Sequence, residues 1–487
     1  MPTLTTPARL QMHIGGRWVD SISGETFERV SPVTGQVIGT LPKAARDDAR
    51  HAVRDANRAR ARISGMPVFE RAKLCRRIAD SLTDRADVMA EQLSLEQGKP
   101  RAEARAEVLF AADLYRDAGE YATRLAGEML PSVDPNKRVI TLRQPHGVVA
   151  VLTPWNYPVG IPSEYLSAAL AGGNAVVWKP APTTSMIAVR LLECILAAGV
   201  PEGVVNLIFG DADVGDEIVS NSGTHAVGFT GSTKTGNLIA QRAGAKPVLL
   251  ELGGNGPTII LDDANLEAAI AGAAFGSFSN AGQICQSSER ILVQEGVHAS
   301  VLEGLTEAAR NIRLGNPLEQ DITMGPLNNE AVASKMDEHI KDAVTHGAAV
   351  VFGGRRQPDM PTALYYQPTV IDRVSRDSLI NRDETFGPVA PLIPVGDLEE
   401  AIRLANEGGY GLCASVYTSN LAKAFTCAER LECGVVNVNE TPAYWDGRTP
   451  FGGYSGKGSG VGRLGGRATL ESMTQVKSIV LDLKNVR

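Results

Sequence analysis

The sequence predicts an α/β chain built on mostly parallel sheets, with a helical N-terminal stretch and two successive β/α-alternating regions. Three observations carry this. Residues 43–130 place apolar side chains every three or four positions in an Ala-, Arg-, Glu- and Leu-rich background, the period of amphipathic helices. From 147 onward, short β-branched runs alternate with helical stretches, the pattern of βαβ units. A second alternation of the same kind fills about 264–440. A chain of 487 residues is too long for one ordinary core and suits two or three lobes.

The elements follow in order. DDARHAVRDANRARARI and ERAKLCRRIADSLTDRADVMAEQLSLEQGK read as helices. RVITLRQP (138–145) is extended and mixed in polarity, which predicts an edge strand. The apolar runs GVVAVLTP, NAVVWKP, VVNLIFG, AVGFTGS, PVLLELGG and PTIILDD are separated by SEYLSAALAG, TTSMIAVRLLECILAAG and TKTGNLIAQRAG. The second region begins with the helical LEAAIAGAAFGSF and ends in the strand-like GLCASVYTS and CGVVNVNE. The terminal run SIVLDLKNV (478–486) has no obvious local partner and predicts strand pairing with another subunit.

Composition excludes several classes. Lys and Arg number 48 against 55 Asp and Glu, a net charge of −7, which argues against a nucleic-acid footprint. No run reaches the roughly 18–20 apolar residues that span a bilayer, so no membrane partner is expected. MPTLTTPARL lacks the charged head and apolar run of a secretory signal. Six scattered cysteines without a C-x-x-C pair fit reduced thiols, and a cytoplasmic location is the simplest reading. The seven histidines form no H-E-x-x-H, so no metal is expected.

Six motifs carry possible chemistry. Cys285 in FSNAGQICQSS sits in a polar turn after a helix of small residues, where a thiolate nucleophile or a buried structural cysteine both fit. Glu251 in LLELGGN ends an apolar strand, either as a desolvated general base or as a solvent-facing strand end. TPWNYP (153–158) follows a strand and offers the Asn156 amide to a developing oxyanion, or is a Pro-bounded loop. Lys179 in VVWKPAP suits nucleotide hydroxyls or phosphates, or is a surface lysine. GFTGSTKTG (228–236) runs strand, Gly-rich turn, helix, which suits a pyrophosphate. ETFGPV (384–389) offers the Glu384 carboxylate and the Phe386 ring, or is an ordinary turn. The single G-x-G-x-x-G string, GVGRLG at 460–465, follows GGYSGKGS and reads as loop glycine. Together the six motifs supply a nucleophile, a base, an oxyanion donor and a dinucleotide cradle.

The ordered set PWNYP, WKPA, FTGS, ELGGN, FxxxGQxC, ETFGPV and PFGGY resembles the aldehyde dehydrogenase superfamily, collinearly over nearly the whole chain. The resemblance implies a Rossmann-like cofactor domain (1–126 and 146–251), an α/β catalytic domain (252–445) and a small β oligomerisation element (127–145 and 473–487), hence a homodimer or homotetramer. It implies NAD or NADP as cofactor and an aldehyde oxidised to a carboxylate through a thiohemiacetal and a thioester on Cys285. Glu251 then activates water, and Asn156 with the Cys285 backbone N–H forms the oxyanion site. Lys179 and Glu384 hold ribose hydroxyls, Gly231 and Ser232 lie at the pyrophosphate, Phe386 seats the nicotinamide, and Thr153 and Trp155 join the cofactor site.

Three departures stand out. Pro182 replaces a Glu that often follows KPA, leaving NADP open beside NAD. PFGGYSGKGSGVGR is two residues longer than the usual motif, near the family's substrate mouth. Leu464 replaces an acidic group, leaving deprotonation to Glu251. For the substrate, the resemblance implicates Phe110, Leu114, Asp117, Tyr157, Ile284, Gln286, Tyr444 and Trp445, with Asp446 and Arg448 as polar capacity. Semialdehydes, aromatic aldehydes and small hydroxyaldehydes all remain candidates. The rival readings are a CoA-acylating dehydrogenase, a cofactor-free cysteine hydrolase and a non-catalytic binding protein on this fold.

Overall fold

The computed structural model describes residues 8–485. The readings made for the first seven residues, and for Val486 and Arg487 of the terminal strand and oligomerisation element, fall outside these described residues.

Four helices fill the N-terminal stretch: Arg46–Ser64, Val68–Asp84, Ala86–Gln97 and Arg101–Arg124. In the first, Ala49, Ala52, Val53, Ala56, Ala59 and Ile63 form one buried stripe, as the three-to-four spacing requires. Asp48 accepts from Ala45 N at 2.8 Å and closes its first turn. The third helix stops at Gly98, whose φ of +107° is the left-handed conformation glycine tolerates.

An eight-stranded sheet has the order Gly460–Val461, Val248–Glu251, Ala226–Thr230, Val148–Leu152, Ala175–Lys179, Val205–Leu207, Met12–Ile14, Arg17–Val19. Its central five strands are parallel, and the outer ones are antiparallel. Val148–Leu152 and Ala226–Thr230 are buried throughout, as strands covered by helices on both faces must be. A seven-stranded sheet has the order Ala349–Phe352, Thr369–Asp372, Val389–Val395, Arg290–Gln294, Pro257–Ile260, Cys413–Tyr417, Val435–Val438, parallel but for its first edge. Residues 252–256 carry the chain from the C-terminal edge of the first sheet to the N-terminal edge of the second. The functional motifs gather at this junction, because parallel strands deliver their ends to a common edge.

Four local readings are corrected. Pro257–Ile260, grouped by periodicity with the first alternation, lies inside the second sheet between Arg290–Gln294 and Cys413–Tyr417. The 138–145 segment is the middle strand of a three-stranded sheet, not an edge. Its partner is the terminal strand Thr474–Asp482, which pairs with Lys137–Pro145 over nine residues within the same chain. Residues 460–461 form a short antiparallel strand against Leu250 and Glu251 rather than a loop. Such long-range pairings are not encoded in local periodicity.

Candidate active site

Cys285 follows the helix Leu266–Phe278 and a 3-10 turn, Ser279–Gly282. Asn280 and Ala281 sit at φ of 50° and 54°, and Gly282 at 71°, so three successive left-handed residues reverse the chain. Non-glycine residues there are strained by about 1–3 kcal/mol each and persist only when surroundings hold them. The surroundings here do so. Asn280 Nδ2 donates to Asn156 O (3.1 Å) and Gln283 O (3.2 Å), and Gln97 Nε2 donates to Asn280 Oδ1 (3.0 Å). Gln283 Oε1 accepts from Asn328 N at 2.9 Å. Behind Cys285, a Cβ on Gly254 would fall 2.1 Å from the Cys285 carbonyl oxygen, so ELGGN requires glycine at this approach.

Glu251 ends its strand beside this turn. The Cys285 thiol donates to Glu251 Oε1 at 3.4 Å. Burial pushes the Glu251 carboxyl up to about 7. Burial first, and the facing carboxylate second, push the Cys285 thiol well above its ordinary range. The resting pair is therefore a protonated thiol against its own proton acceptor, a nucleophile beside a base poised near neutrality.

Asn156 is buried across the site, and its Nδ2 donates to Gln283 O at 3.1 Å. Its loop is pinned by a pair that sequence reading missed. Lys99 Nζ donates to Glu107 Oε2 (2.6 Å) and to Asn156 O (2.9 Å), with both charged side chains essentially inaccessible. Glu107 Oε1 in turn accepts from the backbone N–H groups of Val159 and Gly160 at 2.8 and 3.0 Å. The ammonium also lies 3.8 Å from the centroid of the Tyr157 ring. The available signal was Lys99, Glu103 and Glu107 at four-residue spacing, which reads equally well as an exposed charged helix face.

Two cavities meet at Cys285 and Asn156. The first, of about 290 Å³, is lined by Phe110, Tyr157, Ile284, Gln286, Trp445 and Phe451 among others. The second, of about 270 Å³, is lined by Trp155, Gly231, Ser232, Glu384 and Phe386 among others. Trp155 and Phe386 meet edge to face, 5.5 Å between centroids. Phe386 has a φ of +62°, held by Glu289, which accepts from the backbone N–H groups of Thr385 and Phe386 at 2.5 and 2.8 Å. Burial pushes the Glu289 carboxyl up to about 8. Gly254 N donates to Glu384 Oε1 at 2.9 Å. Ser232 caps the helix Thr233–Ala243 by accepting from Thr235 N.

Other expected residues are placed differently. Thr153 is buried and accepts from Trp178 Nε1 at 2.9 Å, and Lys179 sits at the next strand end, level with Leu152. Neither lines the second cavity. Burial lowers the Lys179 ammonium to about 8, against the pull of Asp211 and Asp213, so it is not an ordinary surface lysine. Tyr444 is 54% exposed and does not line the first cavity. Leu114 and Asp117 face a separate small void beside Glu164, and Arg448 is tied to Asp117 at 2.9 Å. The extended 454–459 loop packs away from the first cavity: Lys457 Nζ donates to Asn406 O and Gly408 O, and Tyr454 N to Gly411 O. Leu464 exchanges backbone hydrogen bonds with Phe451 at 2.8 Å, a structural role.

Among the described residues, no helix is long and apolar enough to cross a membrane, and no group of His, Cys, Asp or Glu is placed to hold a metal ion.

Comparison with known proteins agrees with this geometry. A family model described as "Aldehyde dehydrogenase family" matches residues 18–479. The chain is 39% identical over 476 residues to the glutarate-semialdehyde dehydrogenase of Pseudomonas aeruginosa, covering 97% of this chain and 98% of that one. It is 37% identical over 478 residues to the NADP(+) succinate-semialdehyde dehydrogenase of Escherichia coli, covering 98% of each. A crystal structure of an NAD-dependent aldehyde dehydrogenase from Sinorhizobium meliloti superposes with a TM-score of 0.96 at 38% identity, covering 100% of this chain and 97% of that one.

Proposed function

Because the chain belongs to the aldehyde dehydrogenase family, we propose that Cys285 is its nucleophile, Glu251 its general base and Asn156 its oxyanion donor. The chain is an NAD(P)-dependent aldehyde dehydrogenase that oxidises an aldehyde to the acid. The observation that carries the residue assignment is the Cys285–Glu251 contact at the junction of two cavities.

Glu251 takes the Cys285 proton, and the thiolate adds to the aldehyde carbon to give a thiohemiacetal. The new oxyanion lies toward the Asn156 amide and the Cys285 backbone N–H; the Asn156 amide must then exchange its bond to Gln283 O for the substrate oxygen. The nicotinamide nucleotide supplies the hydride acceptor when bound in the second cavity. Cys285 is left as a thioester; Glu251, once it has passed the thiol's proton to solvent, activates the water that hydrolyses it to the carboxylate and the free thiol. A buried carboxyl near 7 suits both proton transfers. A CoA-acylating reaction would not need this base, and nothing among the relatives supports it.

The second cavity fits a nicotinamide nucleotide. Gly231 and Ser232 open a helix N-terminus toward it, Glu384 presents a carboxylate for hydroxyls, and the Trp155–Phe386 edge contact shapes its wall next to Cys285. Lys179 and Thr153 belong, in this reading, to the far ribose end of a nucleotide longer than the cavity itself. The eight-stranded sheet would then be the nucleotide-binding unit, and the seven-stranded sheet the catalytic one. Glu289→Ala, which frees the Phe386 backbone, is expected to raise the nucleotide KM by roughly 10- to 100-fold, the scale of losing two buried hydrogen bonds. Initial rates against nucleotide concentration read this, and an unchanged KM removes Glu289 from the account.

Residues 127–145 and 473–487 form the oligomerisation element in this reading, and the chain is a homodimer or homotetramer. Val476 and Val480 are 57% and 59% exposed on Thr474–Asp482, which lies at the edge of its sheet with a row of backbone groups available for pairing. Val476→Asp with Val480→Asp is expected to shift the sedimentation profile to monomer; an unchanged profile places the contact elsewhere. A cytoplasmic location is supported by six cysteines that are all free.

A further inference from the structure

The first cavity is walled by aromatic rings in sequence. Phe110 and Trp445 meet edge to face at 5.4 Å, and Trp445 and Phe451 lie 5.2 Å apart at 43°. Ile161, Ile284 and Phe275 complete the apolar surface leading to Cys285. Every titratable group lining it is an acid: Glu103, Glu107, Glu251, Tyr157 and Cys285. No lysine, arginine or histidine is among its lining residues.

Two cations on the segments that build this wall are already committed. Lys99 lies behind the Tyr157 ring, fully buried and bonded to Glu107 and the Asn156 carbonyl. Arg448 is outside the lining and paired with Asp117. An anionic tail drawn into this cavity would lose its hydration, gain no opposite charge and face carboxyls. A flat uncharged ring would instead pack on the apolar wall of Phe110, Trp445 and Phe451 with no charge to desolvate. Gln286 lines the cavity beside Cys285, its buried amide set against the Cys413 thiol, and brings no charge to the wall.

We infer that the preferred substrate of this site is an uncharged aryl or arylalkyl aldehyde, and that the site discriminates against the ω-carboxylate aldehydes named for the relatives. This rests on the proposed function, since it assigns the cavity next to Cys285 to the aldehyde.

The test uses the full chain with saturating nucleotide. Reduction at 340 nm is followed with benzaldehyde and cinnamaldehyde, with succinate and glutarate semialdehydes, and with hexanal as an uncharged aliphatic control. The expected result is a kcat/KM for an aryl aldehyde at least about tenfold above either semialdehyde, the scale set by one unpaired buried charge. A semialdehyde equal to or better than both aryl aldehydes overturns the inference while leaving the dehydrogenase reading intact. No turnover with either aryl aldehyde overturns the inference; nucleotide binding and thiol labelling of Cys285 then test the dehydrogenase reading separately. Phe110→Arg supplies the missing cation. It is expected to raise the semialdehyde-to-benzaldehyde ratio of kcat/KM by about tenfold or more. An unchanged ratio in folded, active variant counts against the cavity assignment.

Discussion

Cys285→Ala is expected to reduce aldehyde oxidation on the order of 10⁴-fold or more, the scale for removing a covalent nucleophile, with nucleotide affinity within about twofold. The loss should be complete because no other cysteine can substitute. Cys75, Cys194, Cys413 and Cys427 are buried, and Cys433 lines neither cavity. Retained nucleotide affinity follows from the cavity's geometry: Glu384 and Phe386 are fixed by Gly254 and Glu289, not by the thiol. Isothermal titration with nucleotide, alongside steady-state rates, separates the two effects. Activity of the variant within tenfold of the parent would remove Cys285 from the chemistry.

Glu251→Gln is expected to leave a first-turnover burst of reduced nucleotide but to slow the steady state by about 10²- to 10⁴-fold, the usual contribution of a general base. The burst itself should be slower than in the parent, because the thiol loses the carboxylate that takes its proton at 3.4 Å. The parent's pH profile should show the same group. Its carboxyl is raised to about 7, so the steady-state rate falls as pH drops below that value, toward tenfold per unit, and levels above it. The glutamine variant should lack this limb. A variant with the same limb and normal turnover would assign water activation to another group. Glu164 is the alternative the structure offers: a buried carboxyl pushed up by burial first and by Glu251 second, with one oxygen lacking a hydrogen-bond partner.

Much of the site is legible in the sequence because its residues stand at strand ends. A continuous apolar run that ends in a polar residue with glycine or proline close behind marks where a parallel strand leaves the sheet, and Glu251, Lys179 and Gly231 all stand at such a mark. What the sequence hides is contact between distant segments. Lys99, Glu107 and Asn156 are joined by hydrogen bonds across 8 and 57 residues; the shorter spacing reads equally as an exposed helix face, and the longer leaves no periodic trace. The buried Glu289 under Thr385 and Phe386 spans 96 and 97 residues in the same way. Tyr444 and Trp445 show the opposite limit. Both are aromatic neighbours on one loop, yet Trp445 faces the cavity and Tyr444 faces solvent, a distinction set by packing against Phe110 and Phe451. The terminal strand could not be paired from local pattern because its partner lies more than 300 residues earlier in the chain.

The central claim is a thioester on Cys285 resolved by Glu251, and rapid quench followed by mass spectrometry tests it most directly. Glu251→Gln is mixed with aldehyde and nucleotide, quenched in acid within the first turnover, and digested. The account predicts one adduct per chain, on the peptide carrying Cys285, heavier than the free thiol by the aldehyde less two hydrogens, and one equivalent of reduced nucleotide. Reduced nucleotide formed without any adduct on Cys285, or with the adduct on another cysteine, would contradict it.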